Sequence, residues 1–142
     1  MALHQGIMIA CVFAQVGLAI WAIVATGRAR IKVLKARELD YDQIALSTDA
    51  YPEHIQKLQN NLRNQFELPV LFYAVAALST ALSISNWAMT ITSIVYIGSR
   101  LIHRAVHVGT NHLPSRFKAY FVGLVAICLL WLFLGIDLLF AV

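Results

Sequence analysis

Asn60, Arg63, Asn64 and Glu67 recur at i, i+3, i+4 and i+7, the spacing of one helical face. Further along, Arg100, His103, Arg104 and His107 repeat that period, with Tyr96 one turn before them. Several guanidinium groups beside one carboxylate suit an anionic guest that also carries an amine. Arginine grips carboxylates in bidentate fashion, and Glu67 can accept an ammonium. His103 and His107, four residues apart, could instead hold a metal with Glu67 as third ligand. Against that, the chain offers no second carboxylate–histidine pair of the kind a di-iron bundle uses, and the neighbouring arginines oppose a cation. A plainer arrangement pairs Arg63 with Glu67 and lets Arg100 and Arg104 snorkel to lipid headgroups. For Arg104 taken alone, snorkelling is the expectation.

The elements that carry these stripes are apolar. Of 142 residues, 60% are hydrophobic and 13% charged, and the mean hydropathy is +0.71. Soluble domains average about 25% charged residues. So short a chain cannot enclose that much apolar surface within its own core. The surplus must face lipid, which makes this an integral membrane protein. Ionisable groups at the bilayer centre cost about 2.5–3.5 kcal/mol each, so the two stripes must face a partner, a water-filled cavity or the headgroup zone. A net charge of +4 raises the question of nucleic acid, but the distribution answers it. All eleven Lys and Arg fall within residues 28–63 and 100–118, as in a multi-span protein whose cationic loops share one side. Cys11 and Cys128 both lie in apolar runs and read as small hydrophobes rather than a disulfide or a nucleophile.

Four spans are predicted, at about residues 6–26, 68–84, 87–108 and 117–140. The first lacks a positive n-region and is expected to be retained rather than cleaved. A long polar loop, residues 27–51, an uncharged turn "SISN" and the connection "GTNHLPSR" join them. The stretch "NNLRNQFELPVLFYAVAAL" is expected to pass from polar helix into the second span without a break. Pro52 and Pro114 read as helix openers and Gly109 as a helix stop. The short turn should make spans two and three antiparallel neighbours, giving an all-α, up-down four-helix bundle and a single membrane domain over residues 1–142. Both long connections are expected in the cytoplasm and both termini opposite, in a bacterial inner membrane. Asp137 then sits near the outer interface as a solvated carboxylate.

"RNQFE" (Arg63 to Glu67) followed by Pro69, and "RLIHRAVHVGTNHLPSRFKAY" (Arg100 to Tyr120), resemble the helix-two and helix-three-to-four signatures of the MAPEG superfamily, the membrane-associated proteins of eicosanoid and glutathione metabolism. The likeness, which covers nearly the whole chain, is to bacterial-type members near the microsomal glutathione transferases. It implies a homotrimer holding glutathione between subunits near the cytoplasmic face. Arg30, Arg63, Asn64, Glu67, Arg100 and His103 match positions that bind the tripeptide in that family. Arg116 matches the arginine near its sulfur, and Tyr120 an aromatic hydroxyl lining the site.

The chemistry this implies is electrostatic. A cation beside a thiol of pKa about 8.5 raises its thiolate fraction at neutral pH, so Arg116 would activate glutathione toward a hydrophobic electrophile or a lipid hydroperoxide from the bilayer. Four departures count against prostaglandin synthesis. Asn60 stands where that branch has an arginine, His107 replaces a tyrosine, Phe117 a serine, and Pro69 follows Glu67 by two residues rather than four. Asp40 and Asp42 fall near a catalytic aspartate of that branch. The losses at Asn60, His107 and Phe117 keep open a second reading, a non-catalytic accessory or structural subunit of a larger membrane complex.

Overall fold

The computed structural model describes residues 2–39, 41–44 and 48–140; among them it contains helices and no strand. In chain order these are α1 (Leu3–Lys35), α2 (Tyr41–Ile44), α3 (Glu53–Asn64), α4 (Leu68–Ala81), α5 (Trp87–Val108) and α6 (Leu113–Phe140). Two of them, α1 and α6, are long and apolar enough to cross a membrane. Only 22% and 28% of their respective apolar windows are buried within the chain, so most of that surface faces outward.

The uninterrupted helix expected from residue 60 into the second span does not form. Helix α3 ends at Asn64, and Gln65 and Phe66 close tight turns onto the Leu62 and Arg63 carbonyls. Pro69 is the physical reason. It has no N–H to return to the Gln65 carbonyl, its ring would collide with that carbonyl, and it disfavours helical backbone at the residue before it. It is tolerated within the first turn of α4 for the same reasons. Pro52 caps the start of α3, its carbonyl accepting from Ile55 and Gln56. Gly109 follows the last residue of α5, where a Cβ would lie 2.8 Å from the Ala105 carbonyl oxygen. Asn86 opens α5 by accepting the Met89 amide at 2.9 Å.

Helix α1 lies against α3, α4 and α5, and α6 lies against α4 and α5. The four long helices thus form a ring in the order α1, α5, α6, α4. Helices α4 and α5, joined by a five-residue turn and expected to be close neighbours, face each other across it. Large rings fill the gap: Phe72 stacks on Tyr96 with centroids 4.5 Å apart, a contact worth about 0.5–1.5 kcal/mol beyond its area. Met8, Val75, Met89, Ile127 and Leu130 complete that core. Helices α5 and α6 approach closely at Gly123, where a Cβ would meet Ser99 Oγ at 2.8 Å. Small residues at such crossings let backbones pack closely where lipid supplies no hydrophobic drive. A separate cluster of Val33, Tyr51 and Ile55 joins the end of α1 to α3. Cys11 is buried, whereas Cys128 lies exposed on α6.

Candidate functional site

Helix α5 carries the polar face read from its spacing, and the structure turns it inward. Arg100, His103, Arg104 and His107 are 1–3% exposed. The end of α3 meets this face. The Asn64 amide nitrogen lies 3.3 Å from His103 Nε2 and 3.3 Å from His107 Nδ1. On the other side of the ring, His103 Nδ1 lies 3.1 Å from the Arg116 carbonyl oxygen. One assignment satisfies all three contacts. His103 donates from Nδ1 to that carbonyl and accepts at Nε2, His107 accepts at Nδ1, and the two amide hydrogens of Asn64 serve the two rings. Three elements, α3, α5 and α6, are thereby tied at one point.

A cleft of 210 Å³ opens beside this knot, lined by Asn64, His103, Leu113, Arg116, Phe117 and Tyr120. The Tyr120 ring stands 5.9 Å from that of His103. Arg116 does not swing freely, because its Nη1 donates to Asn111 Oδ1 at 2.7 Å. Asn111 occupies the α5–α6 connection with a φ of 53°, a left-handed conformation that asparagine tolerates better than most side chains. Behind the cleft, Arg100 donates from Nη2 to the Asn64 carbonyl at 2.8 Å. Its Nε and Nη1, and the Tyr96 hydroxyl, are buried without a partner. Unpaired buried donors cost roughly 1–3 kcal/mol each, and together they mark an interior prepared for an acceptor, above all an anionic one.

Four of the residues singled out in the sequence therefore meet in one cleft, Asn64, His103, Arg116 and Tyr120, with Arg100 tied to the first of them. The others do not line it. Arg63, Glu67 and Asn60 are exposed, and no ion pair joins Arg63 to Glu67 among the described residues. The helix break explains this: the Gln65–Glu67 turn takes Glu67 off the face it would share with Asn60 and Asn64. Arg30 lies at the α1–α3 contact, its guanidinium 5.5 Å from the Tyr51 ring centroid. Arg104 does not snorkel. Its guanidinium covers the Trp21 ring and donates to the Leu18 carbonyl in α1 at 3.0 Å. Of the two loop aspartates, Asp42 is exposed in α2 and Asp40 lies outside the described residues.

Several contributors were missed from sequence. Asn111 has no periodic signature, since its role depends on a loop conformation. Gln15 and Gln65 are both buried and share a 2.9 Å hydrogen bond that ties α1 to the α3–α4 break. A glutamine within the first apolar run was the available signal. Asp137, expected to be solvated, accepts from the Asn86 side chain at 2.7 Å.

The model of the MAPEG family matches residues 8–136, so the chain belongs to the MAPEG family and is a membrane protein. No curated protein and no solved structure matches it.

Proposed function

We propose that this MAPEG-family chain is a membrane glutathione transferase or peroxidase. The cleft of Asn64, His103, Arg116 and Tyr120 receives the tripeptide's thiol end, and Arg116 stabilises the thiolate. The observation that carries this reading is the convergence of those four side chains from α3, α5 and α6 on one opening that still presents a guanidinium. A cation held at fixed distance lowers a thiol pKa and raises the thiolate fraction without any protein nucleophile. Leu113 and Phe117 line the cleft and are exposed, and they give a hydrophobic electrophile or lipid hydroperoxide an apolar approach.

The 210 Å³ of the single-chain cleft is below the roughly 300–1,000 Å³ of small-molecule sites. Arg63 and Glu67 stand outside it, exposed. Both facts support a site completed by a second subunit of a homotrimer, with those charged groups and Arg30 gripping the ends of glutathione across the interface. The charged end of the helices, by the positive-inside rule, faces the cytoplasm where glutathione is dissolved.

Calorimetric titration of glutathione into the detergent-purified protein, wild type against Arg116→Ala, tests the proposal. Saturable heat from the wild type is expected, weakened about tenfold or more in the variant, as for loss of a charged hydrogen-bond donor. Equal heats, or none from either, would overturn it. A non-catalytic subunit is the competing reading, favoured by Phe117 at the cleft wall. It predicts stoichiometric co-purification with another membrane protein and no conjugation of a chlorodinitrobenzene-type electrophile.

A further inference from the structure

On the side of α6 away from the cleft, a second feature runs between α5 and α6. Two adjoining hollows, of 270 and 460 Å³, share Val95 and Val122 and form one continuous furrow. On α5 it is edged by Ile91, Val95, Gly98 and Ile102, which repeat at helical spacing on one face. Most of this wall is open: Ile91, Val95, Ile102 and Val122 are among the exposed apolar residues. A Cβ built on Gly98 would meet nothing within 4 Å, so the glycine leaves unfilled space rather than admitting a neighbour within the chain.

The furrow is chemically asymmetric along its length. Its hydroxyls are turned back into their own helix, Thr92 donating to the Ala88 carbonyl and Ser99 to the Tyr96 carbonyl. The floor therefore offers no donor to a polar guest. At one end stands Lys118, exposed in the second turn of α6, with Ser115 beside it. Among the described residues no carboxylate pairs with Lys118. From Ile91 to Ile102 the α5 wall rises roughly 16 Å at ~1.5 Å per residue, about half of a ~30 Å hydrocarbon layer. An apolar trough one leaflet deep, with an unpaired ammonium at its charged end, has the dimensions and charge of a phospholipid seat.

We propose that the α5–α6 furrow holds one anionic phospholipid, an acyl chain lying along Ile91–Ile102 and its phosphate paired with Lys118. The seat is independent of the glutathione cleft, which opens on the other side of α6. The ammonium supplies headgroup selection and the space at Gly98 admits the chain.

Native mass spectrometry of the detergent-purified protein, mixed with equimolar dioleoyl phosphatidylglycerol and dioleoyl phosphatidylcholine, reads this out. One phosphatidylglycerol per chain should be retained, with at least fivefold preference over phosphatidylcholine. Lys118→Gln, an exposed change that leaves the helices intact, should abolish the preference while weak retention of both lipids persists. Gly98→Phe should reduce retention of both, with circular dichroism confirming its helix content. Equal retention of the two lipids by the wild type, or no response to either substitution, overturns the proposal. A disulfide between two chains through Val95→Cys, in a background with Cys11 and Cys128 replaced by alanine, overturns it as well, by giving the furrow to a second copy.

Discussion

At the end of the helices farthest from the cationic loops, polar side chains are used up on one another. Asn86 caps α5 and donates to Asp137, Ser85 meets His4 Nδ1 at 3.1 Å, and the Thr90 hydroxyl donates to the His4 carbonyl. The start of α1, the α4–α5 turn and the end of α6 are locked by these bonds. At the opposite end the same kind of chemistry stays open. Asn64, His103 and His107 tie three elements together, yet Arg100 and Tyr96 keep buried donors without partners and Arg116 fronts a cleft. Since an unpaired buried donor lowers stability, the open end is the one where a ligand would repay what folding leaves unmet. Polar residues in a membrane protein divide by whether they are satisfied, more than by how many there are.

The sharpest way to break that contrast is to strike the open end. Arg116→Ala should lower kcat for conjugation of a hydrophobic electrophile by about 10²–10³-fold, the usual effect of removing one electrostatic stabiliser. The same steady-state assay on Asp137→Asn should show wild-type turnover; a comparable loss from both would erase the distinction between the ends. A finer probe is Asn111→Gly, which keeps the backbone freedom needed at φ 53° and removes only the bond to Arg116. A hydrogen bond to a charged group contributes about 1.5–3 kcal/mol to stability, so the thermal transition should drop by a few degrees, and kcat/KM should fall by about 10-fold as Arg116 loses its anchor. An unchanged kcat/KM would show that Arg116 needs no anchor.

Stability separates the ends in the other direction. Asn86→Ala, at the closed end, should cost about 0.5–2 kcal/mol for the lost cap and leave glutathione titration as it was; weakened binding would couple the two ends. The smallest effect lies at the cationic end but away from the cleft. Glu53, exposed at the start of α3, pairs with Lys57 at 2.9 Å. The hydrogen bond and charge of Lys57 hold its carboxyl below the ordinary carboxylate value. Its stabilisation is present at neutral pH and is lost as pH falls through that lowered pKa. Melting curves of wild type and Glu53→Gln should therefore nearly coincide at neutral pH and converge fully in acid. A gap that widens in acid would contradict the assigned pairing.

Much of the open end was legible in the order of residues. The inward face of α5 follows from period and the cost of charge in lipid, and the same spacing marks Asn64 and His103, whereas Arg116 and Tyr120 are marked only by the family resemblance. The helix-two stripe was only half legible. Its periodicity assumed an unbroken helix, and Pro69, at the second position of α4, instead separated two helices, which put Glu67 outside. Arg104 was misplaced because snorkelling weighs only the distance to water, whereas an indole face and a helical carbonyl on α1 gave a nearer resting place. Gln15–Gln65 and Asn111–Arg116 join residues through tertiary or loop geometry that no local pattern encodes.

Helix α4 has one further consequence. Its 14 residues rise only about 21 Å at ~1.5 Å per residue, against a hydrocarbon slab of ~30 Å. A layer that met the ends of α4 directly would have to thin by several ångströms. On the proposed function, a thinned layer would bring a dissolved peptide and an oil-soluble reagent to the same depth, so that neither had to leave its own solvent. It also makes the protein sensitive to its host's lipid length, with short-chain bilayers accommodating α4 more comfortably than long-chain ones.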